Sequence, residues 1–211
     1  ELNSIKARIL HKYGVKLTEK GSTWNKMQLK ILEQTFSLLP ASFVKQTTNI
    51  SREPLPPPGK SPLIAAYIYK GSTKVHLLDW GSQMSPQYLE DFKKAYRRPP
   101  IENDLYRALV DKIPGTLAHE MTHCFQSKNP AITAAWKKKF NFRDSPTLYG
   151  KTNDREDMAE SVKLFFLGGK LSGNKFIAKT GEKMDLDRYN FIKNNIMSGK
   201  EFIGSNIPKF F

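Results

Sequence analysis

Residues 119 to 123 read His119-Glu120-Met121-Thr122-His123, inside a stretch (114–128) with the composition of a helix. Positions i and i+4 of a helix lie one above the other, so both imidazoles can grip one metal ion with Glu120 beside it. That is the H-E-x-x-H spacing, in which two histidines bind zinc and the glutamate serves as general base toward water. The chain holds only four histidines, and shuffling its composition yields this pattern about 0.003 times per chain. An ordinary helix with a buried histidine and a solvated glutamate is the competing account. The flanks favour the metal: Pro114 suits a first helical turn, and Leu117, Met121 and Cys124 supply an apolar side.

Catalytic zinc takes three protein ligands and keeps one position open, so the pair calls for a third donor downstream. The longer pattern H-E-x-x-H-x-x-G-x-x-H requires Gly at 126 and His at 129. The chain has Gln126 and Asn129, which excludes it. His11 and His76 lie upstream, and each is expected to be structural or superficial. The third ligand should therefore be a carboxylate. The run from Tyr149 to Phe166 provides candidates: Asn153 or Asp154 can cap a helix with an acidic first turn, and Glu156 and Glu160 share a face at i,i+4. Met158, Val162, Phe165 and Phe166 supply its packing side, and Gly168-Gly169 ends it. Asp154 and Asp157 flank Glu156, but Asp157 sits about 100° away around the helix, so the two cannot address one metal.

H-E-x-x-H combined with Tyr149-x6-Glu156-x-x-Ala159-Glu160 resembles the catalytic domain of the anthrax lethal factor and its relatives, which include the Pro-Pro endopeptidases. The resemblance covers roughly residues 105–200. It implies that His119, His123 and Glu156 bind one zinc ion, that Glu120 is the base, and that Tyr149 stabilises the oxyanion. Glu160 then matches a carboxylate that orients a ligand histidine through its other ring nitrogen. The implied fold is α+β and mainly helical: a zincin-like domain with a small sheet, whose edge strand binds extended substrate, and an active-site helix. The implied activity is that of a zinc endopeptidase acting on proteins or peptides. Two alternatives are a catalytically silent zincin-like binding module and a basic nucleic-acid-binding domain with an incidental motif.

At 211 residues the chain is most simply one domain, with a helical N-terminal part over 1–50 and the sheet and site over about 60–211. No apolar run approaches the ~20 residues of a membrane span. A single cysteine, Cys124, excludes an intrachain disulfide and is expected in the core. Amphipathic patterning places helices over 5–11 and 24–39, and further ones near 85–96, 103–112, 115–127, 130–140, 154–167 and 187–197. Residues 51–60 read as a stiff connector, followed by a hairpin of strands at 63–69 and 74–79 that is expected to supply the sheet edge. The net charge is +14, with clusters at Arg97-Arg98 and Lys137-Lys138-Lys139. It suits solubility or attraction to an anionic surface; no nucleic-acid module accompanies it. A monomer, secreted or at a bacterial cell envelope, is the expected setting.

Overall fold

The computed structural model describes residues 1–59, 64–79, 83 and 86–209. Helix dominates, joined by two small sheets. The first elements are α1 (Leu2–Tyr13), β1 (Lys16–Glu19), α2 (Lys26–Leu38), α3 (Ala41–Val44), β2 (Asn49–Glu53), β3 (Ala66–Tyr67) and β4 (Lys74–Leu78). Then come α4 (Pro86–Tyr96), α5 (Glu102–Lys128), α6 (Pro130–Lys139) and α7 (Asp154–Leu167). A meander of β5 (Gly169–Ser172), β6 (Lys175–Ala178) and β7 (Lys183–Asp185) precedes α8 (Leu186–Asn195). Among the described residues no helix is long and apolar enough to cross a membrane.

The first sheet is mixed, in the order β1-β2-β4-β3, with β3 antiparallel to β4 and the other pairs parallel. The parallel β1–β2 pair needs a crossover, which α2 and α3 provide. Asn25 and Gln28 start α2 with reciprocal side-chain to backbone bonds of 2.8 and 3.1 Å, a capping box. Ile50, Val75, Leu77 and Ala66 alternate onto one face of the sheet and are buried with the apolar sides of the helices. The ring of Tyr13 on α1 meets that of Phe36 on α2 at 5.5 Å.

Three expectations need correction. Helix does not break at Pro114: α5 runs through it as 27 residues. Proline there removes the bond to the carbonyl four residues back, but Leu109, Ile113 and Leu117 on both sides are buried, and that packing keeps the axis continuous. Residues 51–53 are not connector but the buried end of the inner strand β2. The part before residue 50 is not wholly helical, since it contributes β1. The expected hairpin forms as β3 and β4, with Ala66 opposite Leu77 and Tyr67 opposite His76. Leu63, Lys60 and Ser85, at the ends of expected elements, lie outside the described residues.

β3 is only two residues long, and polar bonds reinforce it. Glu53 takes a 2.7 Å bond from His76 Nδ1 and a 3.1 Å bond from the Tyr67 hydroxyl, while the Tyr67 and His76 rings stack at 4.4 Å. The edge strand is thereby tied across β4 to the inner strand β2. Burial pushes the Glu53 carboxyl up, but its bonds to His76, Ser51 and Tyr67 outweigh it and leave the group below the ordinary glutamate value. A depressed carboxylate contributes stability above its unfolded value, ~4.5, and loses it as pH falls through the folded value. Glu53→Gln should therefore melt lower than wild type at pH 7, and the gap should narrow when both are melted at pH 3.5; an equal gap at both pH values would remove this role.

Candidate metal centre

α5 packs against α7, and each carries a fully buried apolar stripe: Leu117, Met121 and Cys124 on α5, and Met158, Val162, Phe165 and Phe166 on α7, where Phe165 and Phe166 meet the ring of Phe202. These are the apolar stripes expected from the sequence. Burial pushes the Cys124 thiol up to about 11, in keeping with an inert core residue. Asn153 caps α7, its side chain accepting from the backbone N–H of Arg155 and Glu156. Gly168 ends it at φ 86°, where an added Cβ would lie 2.9 Å from the Phe202 carbonyl oxygen. With those stripes buried in the core, the helices leave His119, His123, Glu156 and Glu160 on the faces that meet.

His119 Nε2 and His123 Nε2 lie 3.2 Å apart, and Glu156 Oε2 is 3.1 Å from the first and 3.3 Å from the second. The other ring nitrogens are both engaged. His119 Nδ1 bonds Glu160 Oε1 at 2.8 Å, and His123 Nδ1 bonds Gln126 Oε1 at 2.9 Å. Gln126 in turn donates to the Arg155 carbonyl at 2.9 Å, which fixes its amide so that its oxygen faces the histidine. A neutral imidazole donating at Nδ1 presents a lone pair at Nε2. Two such lone pairs and the buried Glu156 Oε2, which accepts no well-aligned hydrogen bond, converge on one point.

Convergent lone pairs repel unless a cation lies among them. Zinc with bonds of ~2.0–2.1 Å in a tetrahedral site holds its donors roughly 3.3 Å apart, so the observed triangle fits such an ion. Among the described residues this trio is the one group with the donors and spacing to hold a metal. Burial pushes the His119 imidazole down, but Glu156 and Glu160 raise it to about 9. Burial likewise raises both carboxyls, and His119 and its neighbours pull each down to about 2. Below about 9 His119 holds a proton between the two carboxylates, and a metal ion would have to displace it to gain the Nε2 lone pair.

Glu120 is buried beside the trio, and with His119, His123, Glu156 and Tyr149 it lines an open cavity of about 330 Å³. Tyr149 approaches from the loop before α7, its ring 5.7 Å from that of His119 and about half exposed. Burial and the charges of Glu156, Glu120 and Glu160 push its hydroxyl up to about 12, which keeps it a neutral donor. The loop is tight: a Cβ at Gly150 would collide with Ser145 Oγ. The roof of the cavity is the β3 segment, with Ile64, Ala66, Tyr67 and Ile68 along it.

The structure brings all six expected residues together and leaves the competing donors out. His11 is exposed, and His76 belongs to the Glu53 cluster. Asp157 faces away, accepting from Trp136 Nε1 at 2.9 Å with Arg188 at 3.5 Å. Two supporting residues escaped the sequence reading: Gln126, three residues after His123, and Lys163, three after Glu160 and 3.1 Å from its carboxylate. Both obey the i,i+3 neighbour rule, which was the available signal. Comparison of the chain with protein families, with curated proteins and with solved structures gives no match.

Exchanging the neighbouring acids separates their roles. Glu156→Ala should abolish stoichiometric zinc binding, read by metal analysis after dialysis. Asp157→Ala should keep zinc but lose about 3 kcal/mol of stability in urea titration, because a buried guanidinium is left short of its partner. The reverse pattern would move the ligand role to Asp157.

Proposed function

We propose that the chain is a zinc-dependent endopeptidase, a zincin-like enzyme of the kind the lethal-factor resemblance implies. One observation carries the reading: three convergent donors, a buried glutamate and a tyrosine hydroxyl share a cavity roofed by a strand edge. Among the described residues β3 has a neighbour on one side only, β4, so its other edge can pair with an extended peptide. Such pairing would lay a substrate carbonyl across the cavity between β3 and the two helices.

His119, His123 and Glu156 would hold the metal, with Glu160 and Gln126 keeping the two imidazoles in the ligating tautomer. A zinc ion held there supplies Lewis acidity, which lowers the pKa of water toward ~7 and polarises a carbonyl. Glu120, adjacent in sequence to the first ligand and lining the same cavity, takes the proton of the attacking water and delivers it to the leaving amine. Tyr149 donates its hydroxyl to the oxyanion of the tetrahedral intermediate. That role requires a tyrosine protonated throughout the working pH range, and a hydroxyl pushed up to about 12 meets the requirement.

The direct test is metal content together with digestion of casein or a peptide library, with and without a chelator. Glu120→Gln should retain zinc yet lose about 10²–10⁴ in peptidase rate; full activity would overturn the mechanism. Tyr149→Phe should lower kcat about 10²-fold with zinc unchanged. A zinc-replete wild type that cleaves nothing would point instead to a silent binding module.

A further inference from the structure

Charge is distributed unevenly along the cleft beneath β3. At the end reached by Ile64 and Thr116, the one lysine, Lys163, is spent locally on Glu160 at 3.1 Å. The opposite end is lined by Tyr69, Lys70 and Arg155. Neither cation there has an ionic partner among the described residues. Lys70 is exposed in the turn after β3, and Arg155 is partly buried in the first turn of α7, one residue before the ligand Glu156. Two of the cavity's carboxylates are engaged elsewhere: Glu156 belongs to the donor triangle, and Glu160 is held by His119 and Lys163.

Resting on the peptidase reading, we infer that the Lys70–Arg155 end is a subsite for a carboxylate, so that substrates carry Asp or Glu on the amino-terminal side of the scissile bond. The guanidinium of Arg155 offers a planar fork that matches a carboxylate with two parallel bonds, and Lys70 adds a point charge. Direction follows from the strand. A peptide added antiparallel to β3, the sense in which β3 already pairs with β4, runs against the path from Ala66 to Lys70. Its amino-terminal half therefore lies at the Lys70 end. An extended chain advances ~3.3 Å per residue and Lys70 lies just past the strand, so the acidic position falls about two to four residues upstream of the cut.

An acidic residue gains attraction at this end and a lysine meets repulsion, and selectivity is the difference between the two. Partly exposed charges are screened by salt, so the preference must fade as ionic strength rises. A basic protein attracts acidic peptides in any orientation; a preference confined to one side of the bond is what distinguishes a subsite from general attraction.

The test uses the zinc-loaded chain, a peptide library randomised on both sides of the scissile bond, and matched peptides with Glu or Lys at the preferred upstream position. The Glu peptide should have about tenfold higher kcat/KM at 50 mM salt, with most of the difference gone at 0.5 M. Lys70→Glu combined with Arg155→Glu should reverse the preference, and the neutral pair Lys70→Met with Arg155→Met should erase it. Fluorescence anisotropy with the Glu120→Gln chain gives the same ranking without turnover. Equal cleavage of both peptides, or acid preferred only downstream, would overturn the subsite and leave the peptidase reading standing. A zinc-loaded chain that neither cleaves nor binds any peptide would remove both.

Discussion

Three donor atoms held 3.1–3.3 Å from one another are the constraint on which the site depends, and much of the surrounding structure serves to keep them there. Buried acceptors facing each other repel and are denied water. They stay in place because the apolar stripes of α5 and α7 are fully buried in the core. Rotating α5 or α7 enough to separate the donors would drag Met121, or Phe165 and Phe166, out of that core. The hydrogen bonds from Glu160 and Gln126 to the far nitrogens close the remaining freedom, the rotation of the imidazole rings. Hydrophobic packing sets the helix positions; directional bonds do the rest.

The same division of labour appears at the roof. A two-residue edge strand has little ladder bonding of its own, and isolated short pairings are marginal in water. Here the Tyr67 hydroxyl and the His76 ring meet on Glu53, so that three strands share one buried polar cluster and β3 is held by side chains as much as by backbone. The cost of burying a carboxylate is offset by the bonds it accepts. What remains outward, among the described residues, is a strand edge without a second neighbour, over a cavity in which Glu156 and Glu160 are engaged and Lys70 and Arg155 have no ionic partner. A surface of that kind discriminates by sign before it discriminates by shape.

Much of this was legible in the sequence because the informative relationships are local. The i,i+4 pairs His119/His123 and Glu156/Glu160, the apolar stripes beside them and the Asn153 cap all lie within a few turns of one helix. Pairing of β1 with β2 and of β2 with β4 joins residues more than twenty positions apart, in strands of four or five residues, too short to show a period of two convincingly. Leu17 and Ile50 look no different from apolar residues in loops until the sheet is assembled. Pro114 misled for a related reason: a local rule predicts a helix break, and tertiary burial on both sides of the residue overrides it. Gln126 was discarded as the wrong residue for a three-histidine site and proved to be the partner of His123; a pattern that excludes one role says nothing about another.

The adjacent acids Glu156 and Asp157 show why direction decides the chemistry of this site more than composition does. Both are carboxylates in the first turn of one helix, both are substantially buried, and both have cations or potential cations as neighbours. A rotation of about 100° between successive residues sends one toward two imidazoles and the other toward Trp136 and Arg188. The first has its carboxyl pulled down to about 2 by the histidines, while burial pushes the second up despite the guanidinium beside it. Glu156 is thereby kept as an anion facing an open cavity. Asp157 is spent on pinning α7 to α6 and α8, which holds the first turn, and with it Glu156, in place. A helix can present a ligand and anchor it with consecutive residues only because its faces are independent, and in this chain the anchor is as necessary to the centre as the ligand.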